Sequence, residues 1–161
     1  MPVANPYASC LDGRPTQDIL ADSPAALSAL LASIGPERAA QPVAPGKWTP
    51  TQILAHLADC EIAHGYRLRQ TLAEENHPMQ PFNQDLWAIG YSTRSAAQAL
   101  AVFTALRQWN LLLIADAMPA AADRPTSHPE RGPLTFRILT ETMAGHDLNH
   151  IAQLQRIIAQ P

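Results

Sequence analysis

The residues best suited to chemistry are His146 and His150, in the run Gly145-His146-Asp147-Leu148-Asn149-His150. Four residues apart on a helix, two imidazoles stand on one face, a turn from each other. Neutral imidazole is a common ligand for zinc, so this HxxxH spacing can present two donors to one divalent ion. The plainer reading is a pair of core histidines, each hydrogen-bonded locally. A catalytic zinc usually takes three protein ligands and keeps one position for water or substrate. The segment Ile53-Leu54-Ala55-His56-Leu57-Ala58-Asp59-Cys60 offers two candidates for the third, His56 and Cys60, one turn apart beside Ile53 and Leu57. The spacing leaves the choice between them open. Read without a metal, His56 is a satisfied core histidine and Cys60 a small buried hydrophobe. His64 lies ~12 Å further along the same helix than His56, too far to share the ion. His77 and His128 sit beside prolines in loops and are expected to be solvent-exposed.

Other polar residues could support such a site. Asp59 and Asp147 could accept a hydrogen bond from a ligand imidazole and fix its orientation, or equally could pair helices or face solvent. Arg107 and Asn110 are polar among Phe103, Leu106, Leu113 and Ile114. Facing the bundle centre they would position an anionic or polar substrate; facing outward they would be ordinary surface. Gly145 costs a helix ~1 kcal/mol relative to alanine, and its expected use is to let the helix carrying His56 approach closely.

The elements that must hold these side chains are legible from proline placement. Thr51–His77, Phe82–Met118 and Leu134–Gln160 contain none of the 15 prolines, and Ala25–Gly35 is a shorter gap. Proline disrupts a helix interior by ~3 kcal/mol, so long helices belong in these gaps. The first helix is expected to start with Ser23 as N-cap and Pro24 in its first turn, then run through Leu27, Leu30, Leu31 and Ile34 to Gly35-Pro36. The second opens at Thr49-Pro50, with Gln52 placed for a capping box, and runs to about Glu75. The third spans Ser95 to about Met118. The fourth follows Gly132-Pro133, capped by Thr135, with a buried stripe through Phe136, Leu139, Met143, Leu154 and Ile157. No stretch sustains period-two alternation, so no strand is expected. The long link His77–Thr93 carries Phe82, Trp87 and Tyr91 and reads as a crossover over one end of an all-α four-helix bundle, or equally as a lid over a site there.

Composition narrows the function. At 161 residues with 47% hydrophobic and 16% charged, the chain reads as one folded domain, residues 1–161, with an irregular N-terminal segment over 1–22. A net charge of −3 and a single lysine, Lys47, argue against nucleic-acid binding. No apolar run reaches the ~20 residues of a membrane span. The start Met1-Pro2-Val3-Ala4-Asn5-Pro6 lacks the features of a signal peptide, and two cysteines make no disulfide framework, so a reduced cytoplasmic setting is expected.

Three stretches together resemble the DinB-like superfamily. Trp48-Thr49-Pro50-Thr51-Gln52-Ile53-Leu54-Ala55-His56-Leu57-Ala58-Asp59 is similar to that family's second-helix opening. Pro81-Phe82-Asn83-Gln84-Asp85-Leu86-Trp87 is similar to the connecting segment of one branch. Ala144-Gly145-His146-Asp147-Leu148-Asn149-His150-Ile151-Ala152-Gln153-Leu154 resembles its last-helix signature. The resemblance implies an up-down-down-up bundle with a long crossover between helices two and three. It also implies a three-histidine metal site at His56, His146 and His150, with Cys60 outside it. Zinc, or alternatively nickel, and a homodimer are implied as well. The implied chemistry is that of a metal-dependent enzyme on a small molecule, either a thiol-dependent S-transferase using a low-molecular-weight thiol or a hydrolase. Asp59 and Asp85 are candidate catalytic helpers, and Arg107 and Asn110 candidate substrate contacts. The rival readings are a non-catalytic metal-binding stress protein and a helical module without metal.

Overall fold

The computed structural model describes residues 4–159. Four long helices carry the fold: α1 (Thr16–Ile34), α3 (Pro50–Ala73), α5 (Ala96–Ala117) and α6 (Phe136–Ala159). Between them lie the short α2 (Pro36–Ala39) and α4 (Gln84–Ala88), and an antiparallel hairpin of β1 (Pro125–His128) and β2 (Gly132–Thr135). No described helix is long and apolar enough to cross a membrane.

The helix starts follow local chemistry. Thr49 accepts from the Gln52 amide while the Gln52 side chain accepts from the Thr49 N–H, a complete capping box with Pro50 in the first turn. Ser95 caps α5 through the Gln98 amide, and Thr135 accepts from Ile138 at the start of α6.

Two expectations fail. Helix α1 begins at Thr16, so Pro24 lies inside it and the irregular segment is shorter than 1–22. Ser23 is no cap; its hydroxyl donates back to the Ile19 carbonyl. Proline inside a helix orphans the carbonyl four residues earlier, here Leu20, and Arg107 Nη1 from α5 donates to that oxygen at 3.0 Å. A distant side chain thus repairs a defect that a local reading treats as a boundary. The second failure is the hairpin. Each strand has four residues, too few to show alternation, and Thr126 and His128 point inward from β1. His128 is consequently buried, its Nδ1 accepting from the Glu130 amide, and His77 is half-buried against Glu74. The turn closes through Gly132 at φ 77°.

The core has two apolar halves. Leu27 and Ile34, Ile53 and Leu57, Phe103, and Leu154 and Ile157 form one; Ile19 and Leu20, Leu68, Ile114, and Leu139 and Met143 form the other. Between them runs a buried polar belt of His56, Glu61, Arg107, Asn110, His146, Asp147 and His150. At its centre all five N–H donors of Arg107 are used. Nε and Nη2 bond the Glu61 carboxylate at 3.0 and 2.9 Å, Nη1 and Nη2 bond Asp147, and Nη1 also bonds Leu20 O. The guanidinium also lies 4.7 Å from the Phe103 ring centroid.

Replacing Arg107 with Met should leave Glu61 and Asp147 as unpaired buried charges and cost about 3–5 kcal/mol. Urea unfolding monitored by circular dichroism measures this; a loss under ~1 kcal/mol would contradict the central role given to Arg107.

Candidate metal centre

Helix α3 delivers His56 into the polar belt, and α6 delivers His146 and His150 one turn apart from the opposite side. The three rings are buried, at 2%, 5% and 8% exposure. Their Nε2 atoms converge: His56 to His146 is 3.0 Å and His146 to His150 is 3.1 Å. An Nε2–H on His146 could serve only one of these neighbours and would leave the other lone pair unsatisfied. A single divalent ion satisfies all three. Nitrogens about 2.0–2.1 Å from one ion stand roughly 3 Å apart, so the spacing fits a shared metal.

The surroundings favour ligand-competent rings. His150 Nδ1 lies 2.8 Å from Gln153 Oε1, which fixes Nδ1–H as the donor and turns the Nε2 lone pair to the centre. Burial, reinforced by His150, lowers His56 to about 4. Burial also holds His146 well below the usual histidine range, and lowers His150 despite the opposing pull of Gln153. All three are therefore neutral at pH 7. The Trp48 ring packs 5.1 Å from His56 and the Tyr7 ring 5.0 Å from His146. Cys60 Sγ comes within 3.5 Å of His56 Nε2, but burial raises its thiol to about 12, so it stands there as a neutral thiol.

A family model of the DinB superfamily matches residues 19–154. The chain belongs to the DinB superfamily. Among curated proteins, it is 29% identical to an Oceanobacillus iheyensis protein named "Putative metal-dependent hydrolase OB0782", over 68% of this chain and 64% of that one, so the match spans just under two thirds of the relative. A Geobacillus thermodenitrificans protein named "Putative metal-dependent hydrolase" is 28% identical over 83% of this chain and 77% of that one. Among solved structures, YfiT from Bacillus subtilis is described as "a probable metal-dependent hydrolase with an unusual four-helix bundle topology". It superposes with a TM-score of 0.79 at 22% identity, covering 91% of this chain and 87% of YfiT. The likeness gives this DinB-superfamily chain its fold, a four-helix bundle.

The other residues singled out in the sequence have different placements. Asp147 bonds Arg107 rather than a histidine. Asp59 accepts from the Tyr91 hydroxyl at 2.8 Å, which ties the crossover to α3, and Asp85 is exposed in the first turn of α4. Arg107 has no donor left for a substrate. Asn110 is likewise engaged, donating to Glu61 and accepting from Arg69 at 2.7 Å. The pair that would contact substrate is instead internal structure. Gly145 also serves another purpose than expected. An added Cβ there would fall 2.5 Å from the Tyr7 carbonyl oxygen, so the gap admits the N-terminal segment, not α3. It is Gly65 on α3 that makes room for a neighbour, the Asn110 amide.

Sequence reading missed Gln153, Glu61, Trp48 and Tyr7. Gln153 is three residues past His150, a spacing that can be searched for. Glu61 falls on the apolar stripe of α3, four residues after Leu57, and a lone carboxylate there signals a buried partner. Tyr7 reaches the site only through tertiary packing.

Because the folded-state values are depressed, metal-free protein should be most stable above pH 6.5 and lose stability as pH falls toward about 4, where His56 takes up its proton. In that window the unfolded chain binds protons that the folded chain refuses. Urea midpoints of chelator-treated protein between pH 7.5 and 4 test the sign; a midpoint that rises on acidification contradicts it.

Proposed function

We propose that this protein is a metal-dependent hydrolase acting on a small molecule, with His56, His146 and His150 as its metal ligands. The observation that carries the reading is the convergence of three Nε2 atoms, from α3 and α6, within 3.0–3.1 Å steps of one another. A bound divalent ion would acidify a water and polarise a carbonyl, and three neutral ligands leave its full charge to do so. Hydrolysis then adds water across an ester or amide: its oxygen goes to the carbonyl carbon and a proton to the leaving atom. Gln153 holds His150 in the required tautomer, while Trp48 and Tyr7 shield the flanks of His56 and His146 from bulk water. Zinc suits an all-imidazole set with a position left open, and nickel is the alternative. The names of the curated relatives favour hydrolysis over the S-transfer that the family resemblance also implies.

The reading extends to connectivity and assembly. An up-down-down-up course is supported by the two apolar halves, which join the C-terminal part of α1 with the N-terminal parts of α3 and α5 and the C-terminal part of α6. Homodimerisation is supported by apolar side chains left exposed on α5, namely Val102, Trp109 and Leu112, and by Ile62 and Tyr66 on α3.

Two measurements test these proposals. Freshly purified protein should hold one divalent ion per chain by elemental analysis. His146→Ala should lose that ion and reduce hydrolysis of a panel of small esters and amides by at least ~100-fold, while keeping its helical circular dichroism. Metal retained in the variant counts against the site. For assembly, sedimentation should give a dimer that Trp109→Glu converts to monomer; a wild-type monomer at micromolar concentration removes the dimer proposal.

A further inference from the structure

The loop between α2 and α3 and the last turns of α6 enclose a cavity of about 340 Å³. Its walls include Val43, Lys47 and Trp48 from the loop, and Gln153, Arg156 and Ile157 from α6. Two of these side chains also touch the metal centre. Trp48 packs 5.1 Å from the His56 ring, and Gln153 bonds His150 at 2.8 Å. The cavity therefore shares a wall with the three histidines. On α6, His146, His150, Gln153 and Ile157 follow one another at steps of four, three and four residues, along a single face.

The charge around this cavity is one-sided. Among the described residues that line it, Lys47 and Arg156 are charged and none is a carboxylate. Neither side chain forms an ion pair with a described residue. A third positive charge stands behind the wall, where Arg38 of α2 bonds the Ile157 carbonyl at 2.6 Å. In a chain of net charge −3, this concentration is local rather than a matter of composition, and it takes up the single lysine. The turn that presents Lys47 is fixed by its own N–H, which donates to the Ala44 carbonyl at 3.1 Å, and by Gly46 at φ 75°. Val43, Trp48 and Ile157 supply apolar surface beside the two cations. Apolar walls with a few convergent polar groups are the usual form of a small-molecule site.

We propose that this cavity binds an amphipathic oxyanion. Lys47 and Arg156 pair with its carboxylate or phosphate, and Val43, Trp48 and Ile157 cover an apolar body of a few carbons. The site stands on the cavity and its charges alone. A further step, that the oxyanion is one end of the substrate and the scissile bond lies at the histidines beyond the shared wall, rests on the hydrolase reading above.

Proton–nitrogen correlation spectra of the isotope-labelled protein as purified test the site, because the Trp48 indole N–H and the Gln153 side-chain amide report from its walls. Hexanoate or hexyl phosphate should shift both resonances saturably, and the tighter binder identifies the oxyanion. Hexylammonium, with the same apolar body and the opposite charge, should bind about tenfold more weakly or worse. Lys47→Gln combined with Arg156→Gln, both at exposed positions, should weaken the anion about fivefold or more. Arg137→Gln, which removes an equal charge at the other end of α6, should change it less than about twofold. Equal binding of hexylammonium, or an undiminished anion in the double variant, overturns the site. So does failure of both anions to shift either resonance. His146→Ala separates the two readings. Anion binding retained there supports the site, even if the wild-type protein holds no metal and hydrolyses nothing. Binding lost in His146→Ala but intact in the double variant puts the oxyanion at the histidines and overturns the site. Hydrolysis without anion binding leaves the hydrolase reading and removes this one.

Discussion

One buried guanidinium joins the whole bundle. Arg107 projects from α5 and bonds Glu61 on α3, Asp147 on α6 and the Leu20 carbonyl on α1, so a single side chain touches all three other long helices. A buried ion pair is weak evidence of stability by itself, because desolvation offsets much of the attraction. Here its consequence is positional. Asp147 follows His146 directly, and Glu61 lies five residues beyond His56. Fixing both carboxylates on one rigid fork therefore fixes the sliding of α3 along α6, and with it the distance between the histidines those helices carry.

The same arrangement divides electrostatic work between neighbours. The histidines are kept neutral by burial, while the charged groups are drawn off to one side and satisfied among themselves. Two carboxylates against one guanidinium leave a formal excess of one negative charge behind the centre. A cation at the three Nε2 atoms complements that excess and satisfies together three nitrogens that stand 3.0–3.1 Å apart in succession.

The long helices after the first and the paired His146 and His150 were readable from the sequence because their signals are local. Proline-free gaps, a capping box at Thr49–Gln52 and the i, i+4 spacing of His146 and His150 each depend on a few adjacent residues. The choice of His56 over Cys60 was not local and came from family resemblance. What escaped reading was decided across helices. Nothing near Arg107 in the sequence says that Glu61 and Asp147 will meet it, and an arginine flanked by Phe103 and Leu106 reads equally as surface or as site. The hairpin was missed because four-residue strands carry no periodicity. Gly145 was recognised as unusual, but only packing reveals that Tyr7 occupies the space beside it.

Pro24 makes α1 unable to complete its own hydrogen-bond ladder, and the missing partner comes from Arg107, 83 residues later. The middle of that helix is therefore satisfied only once the bundle has closed around it. Regularity that belongs to secondary structure elsewhere becomes, at this turn, a product of assembly, and the first helix is tied to the cooperative formation of the whole.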